Sequence, residues 1–342
     1  EKVTRQNQES VENLIQEQLA VLQQSPNKTQ TNISPHPPSL STSKKQNRQP
    51  QRQVGGAERF RSIHLKRDGV FTEQQTTFIN ALIQSHIQRT PTSKAMTQDS
   101  RNHLADWKHT LSYWGQLKEG KYPIVSARSD GPRFWDVDGN EYIDIAMGMG
   151  VHFLGHTPPE IRHALEHQLN EGMAIGTQCD LPGEVARLIC ELTGNERVTF
   201  CNTGSEAIMV CLRLARAVQK KDKIVIFKNS YHGIFDGVLA IDIDGEKVPI
   251  GLGTPQGMIE DVLVLEYGNF DSLRIIQDHK DELAAVLVEP VQSRDPDLQP
   301  QCFLKKLRRI TQEQDIALIF DEMITGFRIH PGGAQHWFGI KA

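Results

Sequence analysis

The chain has 342 residues, 38% of them apolar, with a mean hydropathy of -0.45 and a formal charge of -4. The mild negative balance, without a basic stripe, excludes an electrostatic nucleic-acid binder, and no apolar run approaches membrane-spanning length. The five cysteines (Cys179, Cys190, Cys201, Cys211 and Cys302) form no C-x-x-C pair and no cluster with histidine, which argues against a metal site and suits a reducing compartment.

The length allows two ordinary domains or one large α/β domain with extensions. The first residues, Glu1-Lys-Val-Thr, lack the apolar core of a signal peptide, so a cytoplasmic location is expected, and the missing initiator methionine predicts a piece of a longer chain. Within residues 1–24, Leu14, Ile15, Leu19 and Leu22 fall near one helical face, a stripe suited to an amphipathic linker helix. Residues 25–60 turn to Gln, Ser, Asn and Pro, including Pro35-His-Pro-Pro38. Such a segment cannot bury enough apolar surface to offset its ordering entropy, and it reads as a disordered tether.

Order is expected to resume near Phe71, with Thr72 capping a helix whose apolar face carries Phe78, Ile79, Leu82, Ile83, His86 and Ile87 and which ends before Pro91. Residues 133–145, RFWDVDGNEYIDI, read as a hairpin closed by Asp138-Gly139 in a type I′ turn. A glycine-rich stretch, MGMGVHFLGHTPPE, follows, then a helix from Pro159 to about Asn170. From residue 183 helices and strands alternate: GEVARLICELTG, strand VTFCN, SEAIMVCLRLARAVQ, strands KIVIF and DVLVLEY, SLRIIQDHKDEL, strand AAVLVEP, FLKKLRRITQEQD and strand IALIF. This alternation predicts a parallel sheet with crossover helices. No internal repeat is visible.

Four strand ends carry polar groups. After VTFCN come Thr203, Gly204 and Ser205, which open a helix; backbone N–H groups there bind anions and the hydroxyls add donors, although the same pattern also makes an ordinary N-cap. After KIVIF, Tyr231-His232-Gly233 could cover a flat ring or be simply structural. Glu289 and Gln292 follow AAVLV, where Glu289 could equally be a solvated strand terminus. Asp321 follows IALIF, where it could pair with a buried cationic atom, cap a helix or form a salt bridge under the sheet. Ligands of open α/β sheets bind at these carboxyl ends. In conjunction the four are parts for holding a phosphorylated, flat, nitrogenous cofactor.

NTGSEA, YHG, VEPVQ and LIFDEMITGFR, in this order, resemble the class III (subgroup II) aminotransferases of fold type I, whose relatives include glutamate-1-semialdehyde aminomutase; the likeness runs from about Tyr122 to Ala342. TEQQTTFINALIQSHIQRT, RFWDVDGNEYIDIAMGMGVHFLGH and GMIEDVLVLEYGNFDSL are similar to the aminotransferase domains of hybrid polyketide synthase–nonribosomal peptide synthetases. The resemblance implies an α/β fold of mainly parallel strands with flanking helices, incomplete at the C-terminus. It implies pyridoxal 5′-phosphate (PLP) as cofactor: Gly204 and Ser205 on the phosphate, Tyr231 and Met323 on the two ring faces, and Gln292 on the 3′-oxygen. Asp321 would lie on the ring nitrogen with His232 behind it, and Glu289 near the substrate entrance. Residues 61–165 would be an N-terminal segment contributing to a small domain and dimer contacts, and residues 166–342 a partial PLP-binding large domain.

The Schiff-base lysine of the family is expected beyond Ala342, leaving no catalytic lysine in the chain and the chain alone inactive. Lys341 precedes the matching segment, and Lys228, beside the YHG motif, matches no catalytic position. The implied activity moves an amino group from an amino-acid donor to a keto or aldehyde acceptor, a carrier-bound β-keto acyl thioester if the synthetase likeness holds, in a homodimer. The alternatives are a 2,1-aminomutase, which retains its intermediate, and a non-catalytic scaffold. No nucleic acid, membrane or metal is implied.

Overall fold

The computed structural model describes residues 71–105, 115–174, 176–243, 245–251 and 253–342, all within the unit Val54–Ala342. The amphipathic stripe of residues 1–24 and the tether of residues 25–60 lie outside the described residues.

Thr72 caps α1 (Glu73–Arg89) as expected. Its hydroxyl accepts from Gln75 N at 3.2 Å and the Gln75 side chain accepts from Thr72 N at 2.9 Å, a reciprocal capping box. The buried face is narrower than the periodicity suggests: Ile83 is buried and Leu82 is exposed. Helix α1 ends before Pro91, as expected. Pro91 itself opens a second helix, α2 (Pro91–Ser100), where its fixed φ and missing N–H suit the first turn. Thr90, between the two helices, shares a buried 2.7 Å hydrogen bond with the Tyr122 hydroxyl.

Strands β1 (Ser126–Asp130), β2 (Arg133–Asp136) and β3 (Glu141–Ile143) form an antiparallel sheet in that order. The β2–β3 turn is not type I′, which needs positive φ at both central residues. Gly139 has φ +82°, whereas Asp138 is not left-handed. Asp138 is committed elsewhere: its carboxylate accepts from Thr92 N at 2.8 Å and Ser93 N at 3.1 Å, capping the first turn of α2. Buried Asp136 organises the turn, accepting from the amides of Asp138 and Asn140, the Asn140 side chain and the Tyr142 hydroxyl.

Next come α3 (Pro159–Glu171), α4 (Leu181–Thr193) and α5 (Gly204–Gln219). The stretch VTFCN is not a strand, because no described chain hydrogen-bonds alongside it, and Phe200 is 53% exposed. Strands β4 (Lys223–Phe227), β7 (Val262–Leu265), β8 (Leu283–Val288) and β9 (Ala317–Phe320) form the expected parallel sheet, in the order β7-β4-β8-β9. An additional hairpin, β5 (Ala240–Ile243) with β6 (Glu246–Pro249), lies between β4 and β7 in sequence. Helices α6 (Phe270–Asp278), α7 (Gln301–Glu313) and α8 (Gly333–Phe338) complete the chain; α8 has no counterpart in the sequence reading.

The two central strands, β4 and β8, are almost continuously apolar because helices cover both sheet faces. Alternate side chains serve opposite faces. Val225, Phe227, Val286 and Val288 pack with Phe303, Leu304 and Leu307 of α7. Ile224, Ile226, Ala285 and Leu287 pack with Ile208 and Leu212 of α5. The parallel sheet thereby holds the C-terminal ends of β4, β8 and β9 side by side.

Replacing Asp136 with Ala should destabilise the protein by roughly 2 kcal/mol, since it leaves a buried set of donors unpaired, and urea denaturation measures this. Burial pushes the Asp136 carboxyl up, but the hydrogen bonds from Asn140, Tyr142 and Asp138 outweigh it and hold the group below the usual aspartate range. A depressed native value means that its stabilisation is present above the unfolded-state value and is lost as pH falls through the native one. The wild-type advantage over the Ala variant should therefore shrink only in that acid range.

Candidate active site

The loops after β4, β8 and β9 meet at one sheet edge. His232 and Asp321, distant in sequence, are both buried and joined by a 2.8 Å hydrogen bond from Nδ1 to Oδ2. Asp321 Oδ1 accepts from Met323 N at 3.2 Å, and Asp321 N donates to Val288 O at 2.8 Å, fixing the aspartate to the neighbouring strand. The carboxylate is 8% exposed at residue level and retains lone pairs for a cationic donor. The second nitrogen of His232, Nε2, is buried without a hydrogen-bond partner.

Adjacent carboxylates divide their work. Asp321 faces the site, whereas Glu322 accepts from the amides of Ala334 and Gln335 and from the Thr325 hydroxyl, stapling the following loop to the start of α8. Met323 is 69% exposed and lies over the start of α5: a β-carbon on Gly204 would sit 3.0 Å from its sulfur.

Helix α5 begins at Gly204, with Thr203 as its cap. The Thr203 hydroxyl accepts from Glu206 N at 3.2 Å, and the Glu206 carboxylate accepts from the amides of Asn202 and Thr203. The ordinary N-cap and the anion cradle thus coexist. Thr203 does the capping, while the amides of Gly204 and Ser205, first in the helix, have no intrahelical acceptor. The Ser205 hydroxyl oxygen accepts from Ile234 N at 3.1 Å, leaving its own hydrogen to donate. Gly233, at φ +87°, passes so close that a β-carbon would collide with Ser205 Oγ. The Tyr-His-Gly loop is therefore docked directly on the helix N-terminus.

Tyr231 is 50% exposed, with the Arg294 guanidinium 5.9 Å from its ring centre. Glu289 is not a solvated strand terminus. It is buried, and its two oxygens accept from Tyr231 N at 2.9 Å and Ser293 N at 3.3 Å, so it braces the loop that presents the tyrosine. Gln292 is buried, with Nε2 donating to Lys228 O at 2.8 Å. Burial and the nearby Glu289 raise the Tyr267 phenol well above its usual range, and its hydroxyl donates to Pro290 O at 2.8 Å.

Lys228 points into an acidic pair, Glu266 at 2.6 Å and Asp242 at 3.2 Å; hydrogen bonds to these carboxylates, Glu266 first, raise its pKa. The structure thus brings together Gly204, Ser205, Tyr231, His232, Glu289, Gln292, Asp321 and Met323. Sequence reasoning missed the carboxylates around Lys228, because Asp242 lies on the β5–β6 hairpin, which had no recognised signal. No group of three or more His, Cys, Asp or Glu among the described residues could hold a metal ion, and no described helix is long and apolar enough to cross a membrane.

Known proteins are similar to this chain in sequence and in fold. The aminotransferase class-III family profile matches residues 115–342. A glutamate-1-semialdehyde 2,1-aminomutase of Archaeoglobus fulgidus is 40% identical over 225 residues, covering 64% of this chain and 54% of the relative. Among solved structures, an omega-transaminase from Sphaerobacter thermophilus superposes with a TM-score of 0.68 at 31% identity, over 75% of this chain and 60% of that one. A transaminase with PLP bound gives 0.67 at 27% identity, over 74% and 60%. The chain spans about half the length of the curated relatives it matches.

The docking of Gly233 on Ser205 has a direct consequence. Gly233→Ala should destabilise the protein by about 1–3 kcal/mol, through both left-handed strain and the collision, and the loss should be read by chemical denaturation. An alanine variant as stable as the wild type would show that the two loops are not in contact.

Proposed function

We propose that this chain, which belongs to the class-III aminotransferase family, forms the cofactor-holding part of a PLP-dependent enzyme that transfers an amino group from an amino-acid donor to a keto or aldehyde acceptor. The observation that carries this reading is the buried Asp321, aligned by His232 and flanked by the exposed Tyr231 and Met323, beside the unused amides of α5.

The residues present fit PLP. The amides of Gly204 and Ser205 and the Ser205 hydroxyl suit its phosphate, with the helix dipole adding favourable charge. Asp321 suits the ring nitrogen, and His232 holds the carboxylate in one orientation. Tyr231 and Met323 suit the two ring faces, and Gln292 the 3′-oxygen. When bound, PLP supplies an electron sink for the substrate carbon. The chain contributes electrostatics and placement: Asp321 keeps a proton on the ring nitrogen through its negative charge, and Glu289 fixes Tyr231 through the backbone. Lys228 is a poor candidate to carry the cofactor covalently, since two carboxylates keep its amine protonated and non-nucleophilic.

For the acceptor we infer a β-keto acyl chain held on a carrier protein, supported by the likeness of residues 133–156 and 257–273 to synthetase-embedded aminotransferase domains. The identity to 2,1-aminomutases favours a second reading, in which no external donor is used. Consumption of glutamate during turnover of the full-length protein supports the transaminase; turnover without a donor supports the aminomutase. A homodimer is proposed as the working form: α3 and α4 bury no residue in the single chain, and Ile161, Leu165, Leu169, Val185, Leu188 and Leu192 along them are exposed.

In the full-length protein, Asp321→Asn should lower kcat about a hundredfold or more, in line with removal of a group that stabilises developing charge, while the PLP dissociation constant from fluorescence titration moves less than about tenfold. Equal losses in both would argue against the ring-nitrogen role. Borohydride reduction of the chain with PLP, followed by peptide mapping, should leave Lys228 and Lys341 without stoichiometric label; full labelling of either would identify it as the covalent attachment point.

A further inference from the structure

Arg328 closes the LIFDEMITGFR motif, yet nothing in the cofactor site uses it. Its guanidinium lies 4.5 Å from the centre of the Phe153 ring, and a β-carbon on Gly150 would sit 3.2 Å from one of its terminal nitrogens. The side chain is half-buried, and among the described residues it makes no ion pair. Acids that precede Arg328 and the loop beneath it are committed: Glu322 to the amides of α8, Asp321 to His232, and Asp144 to His156 at 2.8 Å and to the amides of Ala146 and Met147.

The segment it rests on is strained. Met147, Gly148, Met149 and Gly150 take φ of 45°, 61°, 57° and 88°, four successive left-handed residues of which two carry side chains. Such conformations are unfavourable for methionine, and they concentrate where a site requires a particular loop shape. The strain is held by Asp144, which grips the start of the loop. From the other side, Arg328 is kept close to the ring-binding residues by a tight turn: Gly326 N donates to Glu322 O at 2.8 Å and Arg328 N to Thr325 O at 3.1 Å.

We infer that Arg328, seated on the 147–153 loop, is the residue that recognises the carboxylate of the amino donor. The guanidinium sits over the Phe153 ring, and no described side chain accepts from its N–H groups, whose fork matches a carboxylate in bidentate fashion. Phosphate already has its own cradle at α5, so the anion at Arg328 is the substrate's. Gly150 leaves the space that the guanidinium fills. The inference rests on the aminotransferase reading and adds to it the group that selects an acidic donor.

The test uses the full-length protein and glutarate, a dicarboxylate without an amine, followed by titration calorimetry. Arg328→Gln should weaken glutarate binding by about tenfold or more, and Arg328→Lys should recover part of it. Both variants should keep the wild-type PLP affinity and thermal midpoint. In steady state, KM for glutamate should rise in the Gln variant while KM for n-butylamine, which has no carboxylate, stays put. Unchanged glutarate binding in Arg328→Gln overturns the inference, and so does a fall in thermal midpoint or PLP affinity in both variants, which would make Arg328 a structural residue. Failure of the wild type to take up PLP would instead refute the aminotransferase reading, and calorimetry reads glutarate independently of it.

Discussion

The hydrogen bond between His232 and Asp321 is the constraint around which the site is arranged. It joins the loop leaving β4 to the end of β9, spanning the intervening strand β8, and both partners are buried. A buried carboxylate stays in place only if its lone pairs are used, and here an imidazole and the Met323 amide use part of that capacity. Met323, whose amide bonds Asp321, lies over the start of α5, and Tyr231 adjoins His232 in the chain. The parallel sheet matters because it holds these strand ends in fixed register; a slip of one residue in β9 would turn Asp321 away and bring Glu322 in.

The same economy runs through the supporting residues. Glu289 and Glu322 could each be taken for chemical participants, and both spend their oxygens on backbone amides. Glu289 presents the tyrosine loop, and Glu322 closes the loop after Met323 onto α8. The neighbouring carboxylates Asp321 and Glu322 therefore take different partners, Asp321 the His232 imidazole and Glu322 the amides of α8.

The central strands are legible in the sequence because burial on both faces leaves continuous apolar runs. The strand-end polar residues Tyr231, His232, Glu289, Gln292 and Asp321 are legible as positions because they follow those runs, whereas what each one bonds to is not. The errors came where long-range partners overrule local preference. Asp138-Gly139 resembles a two-residue turn, but Asp138 is drawn to the first turn of α2, a contact no local pattern announces. VTFCN has strand composition, and a strand exists only with a neighbour to bond. Pro91 closes α1 as its local pattern implies, but that it also opens α2 is not in that pattern: Thr90 and Tyr122 hold the break between the two helices. The roles of Glu289 and Lys228 were hidden for the same reason: their partners lie on other elements.

The contact of Gly233 with Ser205 carries one more consequence. NTGSEA and YHG look like two independent signatures, separated in sequence and attached to different elements. With no room between the glycine and the serine hydroxyl, the two positions form a single steric unit. Natural variation should respect that unit: a larger residue at either position would need a compensating change at the other, so the pair should co-vary or stay fixed together across homologues, and counting the signatures as separate observations overstates what each one tells.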